Sequence, residues 1–313
     1  MTTAPLALDT IVFTRNLTTR PGVRPSLAGI DLDVLPGEIF SIVGRAGSGK
    51  TMLLETLIGL HPAVTETLQV CGHDPRRVPR AVRQRIGIAL ANAAFERKIT
   101  VHEALRLAAG FYDRADPELA LKRLRLEDVR HRPIESLPVA IRQRVSLAAA
   151  LVNDPVVLFA DDPTRDMDPE GARLVVDLFR ERRERGRTTV LTTNHLDEAG
   201  RLSDRIAILE GGRLVALDTP SALIQRSKAP VRVTFEVLKP PIPAEGLLEL
   251  DGVIEARLDR TTYIMTTRDG HATLRAVLRL LDTLQVRPLT IGLRQQTFED
   301  VFFEITSNAE GRA

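Results

Sequence analysis

Gly44-Arg45-Ala46-Gly47-Ser48-Gly49-Lys50-Thr51 is the stretch whose residue types and spacing most directly imply chemistry. Glycines let successive backbone N–H groups wrap a phosphate chain. Lys50 neutralises the terminal phosphates, and the Thr51 hydroxyl offers a ligand to Mg²⁺. A merely glycine-rich turn supplies neither the lysine nor the hydroxyl at these offsets. Residues 156–160 then form an apolar run that ends in Asp161-Asp162. The first carboxylate falls at the end of a strand beside the loop, where it can hold Mg²⁺ through water. Two acids after a strand also suit the start of a turn, and the phosphate loop is what favours the metal.

Both motifs need strands and helices to carry them. Residues 39–43 read as a strand that enters the loop, and the helical pattern of residues 50–60 leaves it. That strand–loop–helix context aims a helix N-terminus at the phosphates. Short strands precede at 11–14 and 30–34, with turns at 20–25 and at Pro36-Gly37. A strand at 85–90 leads into a block of helical periodicity at 101–112, 117–126 and 141–152. Beyond it, strands at 156–160, 188–192 and 205–209 alternate with helices at 169–184 and 195–202. Such alternation predicts a parallel sheet with its ligand chemistry at the carboxyl ends of the strands. Composition shifts after Gln225, and residues 239–243 contain three prolines. Strand-like pieces at 231–237 and 262–266 and helix-like pieces at 272–284 and 298–305 follow, so a boundary is expected near 226–230.

Composition narrows the classes. The 313 residues suit a main domain with a smaller appendage, and 43% hydrophobic with 27% charged residues is ordinary for a soluble chain. No apolar run approaches the roughly 20 residues that span a bilayer, so a membrane role requires a partner. Residues 1–9 lack the basic start and apolar core of a secretory signal. Cys71 is the single cysteine, which excludes an internal disulfide and fits a reducing compartment. Lys50, Lys98, Lys122, Lys228 and Lys239 are the only lysines. Arginine clusters at 76–85 and 180–187 read as solvated helix faces rather than a nucleic-acid surface. Aromatics at 4% and no Trp leave little for base stacking.

Taken together, these motifs resemble the nucleotide-binding domain of the ABC transporter family from about residue 11 to residue 224. Leu35-Pro36-Gly37-Glu38, Gln143-Arg144-Val145-Ser146-Leu147-Ala148, Asp162-Pro163-Thr164 through Asp168-Pro169, Leu196-Asp197-Glu198-Ala199 and Asp204-Arg205-Ile206-Ala207-Ile208-Leu209 carry the likeness. The tail Thr297-Phe298-Glu299-Asp300-Val301-Phe302-Phe303-Glu304 resembles the C-terminal appendage of drug-exporting, daunorubicin-resistance-type subunits. The resemblance implies a RecA-like P-loop α/β domain over residues 1–228, with an N-terminal antiparallel β-subdomain and a helical subdomain at about 92–150. A small α/β accessory or dimerisation domain would follow over 229–313. It further implies ATP and Mg²⁺ held by Gly44 to Thr51 and Asp161, and a second ATP-binding subunit, identical or not, in a head-to-tail sandwich. A multi-spanning permease would complete the assembly and hold this chain peripherally at the cytoplasmic face of the cell membrane, with no nucleic acid.

Measured against that family, several positions depart. The Gln that meets the metal and the attacking water falls on Ala91, with Asn92 next to it. The signature Leu-Ser-Gly-Gly-Gln falls on Leu137-Pro138-Val139-Ala140-Ile141, which loses a hydroxyl, an N–H and the glycines that allow close approach; proline also simply suits a helix start. The catalytic glutamate is Asp162, one methylene shorter. The switch histidine falls on Asn194, with His195 displaced by one, and Asn194 reads either as a helix N-cap or as an amide donor to the γ-phosphate. The adenine-stacking aromatic falls near Pro21. ATP binding with impaired hydrolysis is therefore expected; the alternatives are an export ATPase that tolerates the changes and an ATP-dependent regulatory module outside transport.

Overall fold

Strands without polar alternation form the centre of the first unit: β3 (Ile39–Val43), β7 (Val157–Asp161) and β8 (Thr188–Thr193) are buried along their whole length. Such burial on both faces is what a parallel sheet under two layers requires. The computed structural model describes residues 10–20, 22, 25–77, 79–91, 95–96, 98–227, 230–239, 241–294 and 296–310. They divide into two units, residues 1–220 and 221–313.

In the first unit, β6 (Ile86–Ala89), β9 (Arg205–Glu210) and β10 (Arg213–Asp218) complete a six-stranded sheet of order β10-β9-β3-β8-β7-β6. Every pairing in it is parallel except that of the edge strand β10. An antiparallel layer is built on β1 (Val12–Thr19), which pairs with β2 (Ile30–Val34), β4 (Ala63–Val64) and β5 (Thr67–Val70). One apolar core includes residues of that layer, of α1 (Lys50–Leu57) and of the sheet. A second unites the sheet with α3 (Val101–Ala109), α4 (Pro117–Arg123), α5 (Val139–Leu151) and α6 (Pro169–Glu184). The short helices α2 (Pro79–Arg83) and α7 (Leu196–Leu202) precede β6 and β9. The expected α/β core, antiparallel layer and helical block are thus all present. Strand β1 runs five residues past the expected end because a bulge at Asn16, with φ of 50°, lets the pairing with β2 resume at Leu17.

The second unit opens with α8 (Pro220–Arg226), whose Leu223 is buried. It contains an antiparallel sheet of order β12-β13-β11-β14, made by β11 (Val231–Glu236), β12 (Val253–Asp259), β13 (Thr262–Thr267) and β14 (Thr290–Arg294). Helix α9 (Gly270–Thr283) covers one face through Val277 and Leu281, which join Val233, Phe235, Tyr263 and Met265 in one core. The final helix, α10 (Phe298–Glu310), is longer than the pattern at 298–305. Its Phe298, Val301 and Phe302 are buried in the folded chain, so that apolar face is already covered. Chain packing places the division at Pro220/Ser221, after the first residue of α8, and Ser227 just after α8 is hydrogen-bonded to Glu304 of α10.

Candidate functional site

The turn between β3 and α1 has an exposed crest and a buried base. Ala46 and Gly47 are exposed, whereas Gly44, Ser48, Gly49 and Lys50 are buried and Arg45 is half-buried. Glycine is obligatory at 44, because a Cβ there would lie 2.2 Å from the Leu209 carbonyl oxygen and 2.4 Å from Ser48 Oγ. At the N-cap of α1, Gly49 has φ of 103°, a left-handed value that brings the chain straight from the loop into the helix. Lys50 Nζ donates to the carbonyls of Gly44 (2.8 Å) and Arg45 (3.0 Å), and Arg45 O also accepts from Ser48 N at 3.2 Å. Burial pulls the lysine's pKa down, opposed by the negative charges of Asp162, Asp161 and Glu210. The Ser48 hydroxyl is buried with no partner. An orphaned donor beside a buried ammonium on a helix N-terminus fits phosphate oxygens as the missing acceptors.

The metal pair expected from sequence is brought together. Thr51 Oγ1 donates to Asp161 Oδ1 and Oδ2 at 3.1 and 3.0 Å, and Asp161 is 6% exposed. The Thr192 hydroxyl donates to the same carboxylate. One carboxylate and one hydroxyl match the sparse protein ligation that Mg²⁺ accepts when substrate phosphates and water supply the rest. Strand pairing explains the meeting, since Asp161 is in register with Thr192 on β8, itself the neighbour of β3.

Asp162 sits one step beyond β7 with φ of 47°, a conformation that aspartate tolerates better than most residues. Its N–H donates to Thr192 O (3.0 Å) and Thr192 Oγ1 (3.1 Å), while its carbonyl accepts from Gln143 Nε2 of α5 at 2.8 Å. Its Oδ1 is buried without a partner. Burial raises the Asp162 pKa, offset by the nearby charges of His195, Arg165 and Lys50 and reinforced by Asp161. Glu198 on α7, which accepts from the Thr164 hydroxyl at 3.1 Å, is raised by burial as well.

Asn194 is exposed and is not the cap of α7, contrary to one of its two sequence readings. His195 occupies the N-cap without a side-chain bond, and its N–H is taken by Thr193 Oγ1 at 2.9 Å. An N-cap side chain serves the second or third helical N–H, so the Thr193 contact is a turn bond ahead of α7 and not a cap. Ala91 is half-buried in the turn after β6, and Asn92 lies outside the described residues, as does Pro21. Pro138 is the N-cap of α5 with φ −54° and ψ 153°, and Val139, at 50% exposed, points a branched side chain out of the first turn. Gln143, one turn further along α5, ties that helix to Asp162. In the sequence Gln143 counts only among the residues that carry the family likeness; its polar amide on an otherwise apolar stretch, Val145 to Leu151, was the available signal.

Elsewhere in the first unit an open groove of about 690 Å³ is lined by Ile86, Ile88, Phe95, Leu107, Phe111 and Tyr112 among others. Leu107 is 56% and Phe111 75% exposed.

The profile of the ABC transporter family matches residues 27–165. The daunorubicin resistance ATP-binding protein DrrA3 of Streptomyces coeruleorubidus is 31% identical over 307 residues, covering 96% of this chain and 97% of that protein. A fluoroquinolones export ATP-binding protein of Mycobacterium tuberculosis is 31% identical over 301 residues, 95% of this chain and 93% of that one. Among solved structures, an ATP-binding subunit of an ABC transporter superposes with a TM-score of 0.63 at 23% identity, over 69% of this chain and 93% of its own.

Proposed function

Because this chain belongs to the ABC transporter family of ATP-binding subunits, we propose that it holds ATP at the β3–α1 loop and hydrolyses it slowly while driving export through a membrane partner. The carrying observation is the buried Ser48–Lys50 base, with its orphaned hydroxyl and its ammonium on loop carbonyls. On arrival of the triphosphate, Lys50 exchanges those carbonyls for phosphate oxygens and Gly44 to Thr51 present their N–H groups. Thr51 and Asp161 would hold Mg²⁺, which neutralises charge on the phosphates. Asp162 Oδ1 is the group assigned to take the proton of the attacking water, Gln143 holds the Asp162 backbone, and Asn194 is assigned an amide contact to the γ-phosphate. Ala91 and residues 137–141 offer no polar side chain for the remaining contacts, which supports slow turnover. The unpaired Oδ1 and raised pKa of Asp162 favour the second reading, an export ATPase of ordinary speed.

No helix among the described residues is long and apolar enough to cross a membrane, so passage requires a multi-spanning permease. Its contact is assigned to the groove around Leu107 and Phe111, where apolar side chains face solvent together. That contact puts the chain at the cytoplasmic face of the membrane. A second ATP-binding subunit, a copy or a homologue, would supply the missing half of each site. Mg-ATP affinity, compared between wild type and Lys50→Ala, tests the reading: a loss of tenfold or more is expected, and equal affinities would remove its basis.

A further inference from the structure

The second unit contains a concavity of about 470 Å³ bounded by one end of its sheet and by α10. Arg232 on β11 is directly opposite Arg294 on β14 and directly opposite Thr266 on β13. Residues opposed in this way share a face, so two guanidiniums and a hydroxyl form one row across three strands, and all three line the concavity. Like charges placed directly opposite each other destabilise a sheet. Among the described residues, neither guanidinium has a hydrogen bond or an ion pair that would offset the repulsion.

The facing wall comes from α10. Asp300, Phe303, Glu304 and Ser307 line the same space and recur at i, i+3, i+4 and i+7, one face of a helix. Phe298, Val301, Phe302 and Thr306 of this helix are buried, while Phe303 is 48% exposed. Asp300 Oδ2 accepts from Thr297 N (2.9 Å) and Oγ1 (2.8 Å), and Glu304 accepts from Ser227. Asp300 and the two arginines therefore bound one cavity without an ion pair between them.

We propose that this cavity binds a small zwitterion of the amino-acid type. Its carboxylate lies across Arg232 and Arg294, whose planar forks suit bidentate carboxylate recognition. Its ammonium faces Asp300, and Phe303 with Pro230 takes its apolar part. A bare anion such as phosphate meets the carboxylates of α10, and a bare cation meets the guanidiniums; a ligand with both charges satisfies both walls. The volume falls in the range of about 300–1,000 Å³ usual for small-molecule sites. The site belongs wholly to the second unit and does not depend on the ATP-binding reading.

The test uses the full-length chain and calorimetric titration with the standard amino acids one at a time. For the best binder, its N-acetyl derivative (anion only), the amine lacking the carboxylate (cation only) and inorganic phosphate follow. Binding by the zwitterion, at least about tenfold weaker for each single-charge probe, and a further loss of about tenfold in Arg232→Ala and Arg294→Ala, with Mg-ATP affinity unchanged, is the expected result. Both arginines are exposed, so neither variant disturbs a core. No binding by any amino acid, equal binding of phosphate, or unchanged affinity in both arginine variants would overturn the proposal.

Discussion

The part of the first unit that would hold phosphate and the part that would split it are built differently. The first is one continuous stretch, residues 44–51, joined to a single strand end at Asp161, and its hydrogen-bonding groups are mostly backbone. The second is assembled from four separate places: the turn at Ala91, the start of α5 at residues 137–141, Asp162 after β7, and Asn194 with His195 before α7. Each contributes side chains, and apart from Leu137 and Ile141, which pack in the second core, they add little to the fold around them. A site composed of backbone cannot be lost without disturbing β3 and α1, whereas a site composed of scattered side chains can lose them singly at little cost to stability.

Restoring the scattered part is the strongest way to sharpen this contrast. Replacing Pro138, Val139 and Ala140 by Ser, Gly and Gly returns a hydroxyl, an N–H and close backbone approach to the start of α5. Preorganised donors of this kind are worth on the order of 10² to 10³ each in rate. In an assembled complex with a catalytically intact homologue, steady-state ATPase should rise by at least about 10². A rate that does not change would show that slow turnover has another origin.

Breaking the continuous part should cost binding and folding together. In Gly44→Ala the new methyl meets the Leu209 backbone oxygen, which cannot rotate away. A destabilisation of about 1–3 kcal/mol is expected from such overpacking, with Mg-ATP affinity down by more than about tenfold. Chemical denaturation and nucleotide titration would check both. Loss of affinity with full stability would mean that the loop is less integral to the sheet than its contacts suggest.

Asp162 links the two regions, and pH separates its roles. Because burial raises its pKa, the folded chain retains its proton at pH values where the unfolded chain has lost it. Its contribution to stability is therefore greatest below the unfolded pKa and falls as pH rises through the folded one. Activity runs the other way, since only the ionised form accepts a proton. The acid limb of the ATPase pH profile should lie above the ordinary carboxylate range, and Asp162→Asn should abolish that limb while raising the melting temperature at neutral pH. Turnover should drop by less than about tenfold if the base is already misplaced; a loss nearer 10² to 10⁴, the usual worth of a well-placed general base, would favour the ordinary-speed ATPase. Asp162→Glu should change the rate by less than about threefold, because the missing contacts at Ala91 and residues 137–141 remain missing.

The sequence disclosed these two regions unequally, for physical reasons. Residues 44–51 and Asp161 were legible because contiguous spacing and one apolar strand fix their geometry. The β3–β8–β7 register sets the end of β7 beside the loop after β3, and the first turn of α1 then brings Thr51 to Asp161. By contrast, the Gln143 contact to Asp162 spans 19 positions and depends on how α5 packs against β7, which no local pattern encodes. The cap reading of Asn194 is not realised because α7 starts one residue later than it requires, at Leu196, with His195 in the cap position. In the second unit, β12 and β14 escaped notice because they are half-exposed strands whose Ile254, Leu258 and Ile291 face solvent and break the apolar alternation.

Arg182 supplies the smallest expected effect and a control on the whole comparison. It lies on α6 at 1% exposure, where Nη2 donates to Pro155 O (3.1 Å) and Thr188 O (3.3 Å). Its Nε and Nη1 have no partner. Pro155 precedes β7 and Thr188 begins β8, so this guanidinium sits at the end of the parallel sheet opposite the phosphate loop. Burial lowers its pKa to about 10, with Asp154 opposing and Arg187, Arg123 and Arg185 adding repulsion, so it stays charged at neutral pH. Replacing incompletely paired buried charge by apolar volume is often neutral to stabilising. Arg182→Met forfeits two hydrogen bonds to neutral acceptors and relieves two orphaned donors and a crowded positive charge. The balance should favour the variant by about 1 kcal/mol, a rise of roughly 2–4 °C in Tm for a unit of this size, with Mg-ATP affinity unchanged. A fall in Tm would show that the two carbonyl bonds outweigh the buried charge. A change in ATP affinity would show that the phosphate loop depends on packing at the far end of its sheet and is not the autonomous element that its contiguous sequence implies.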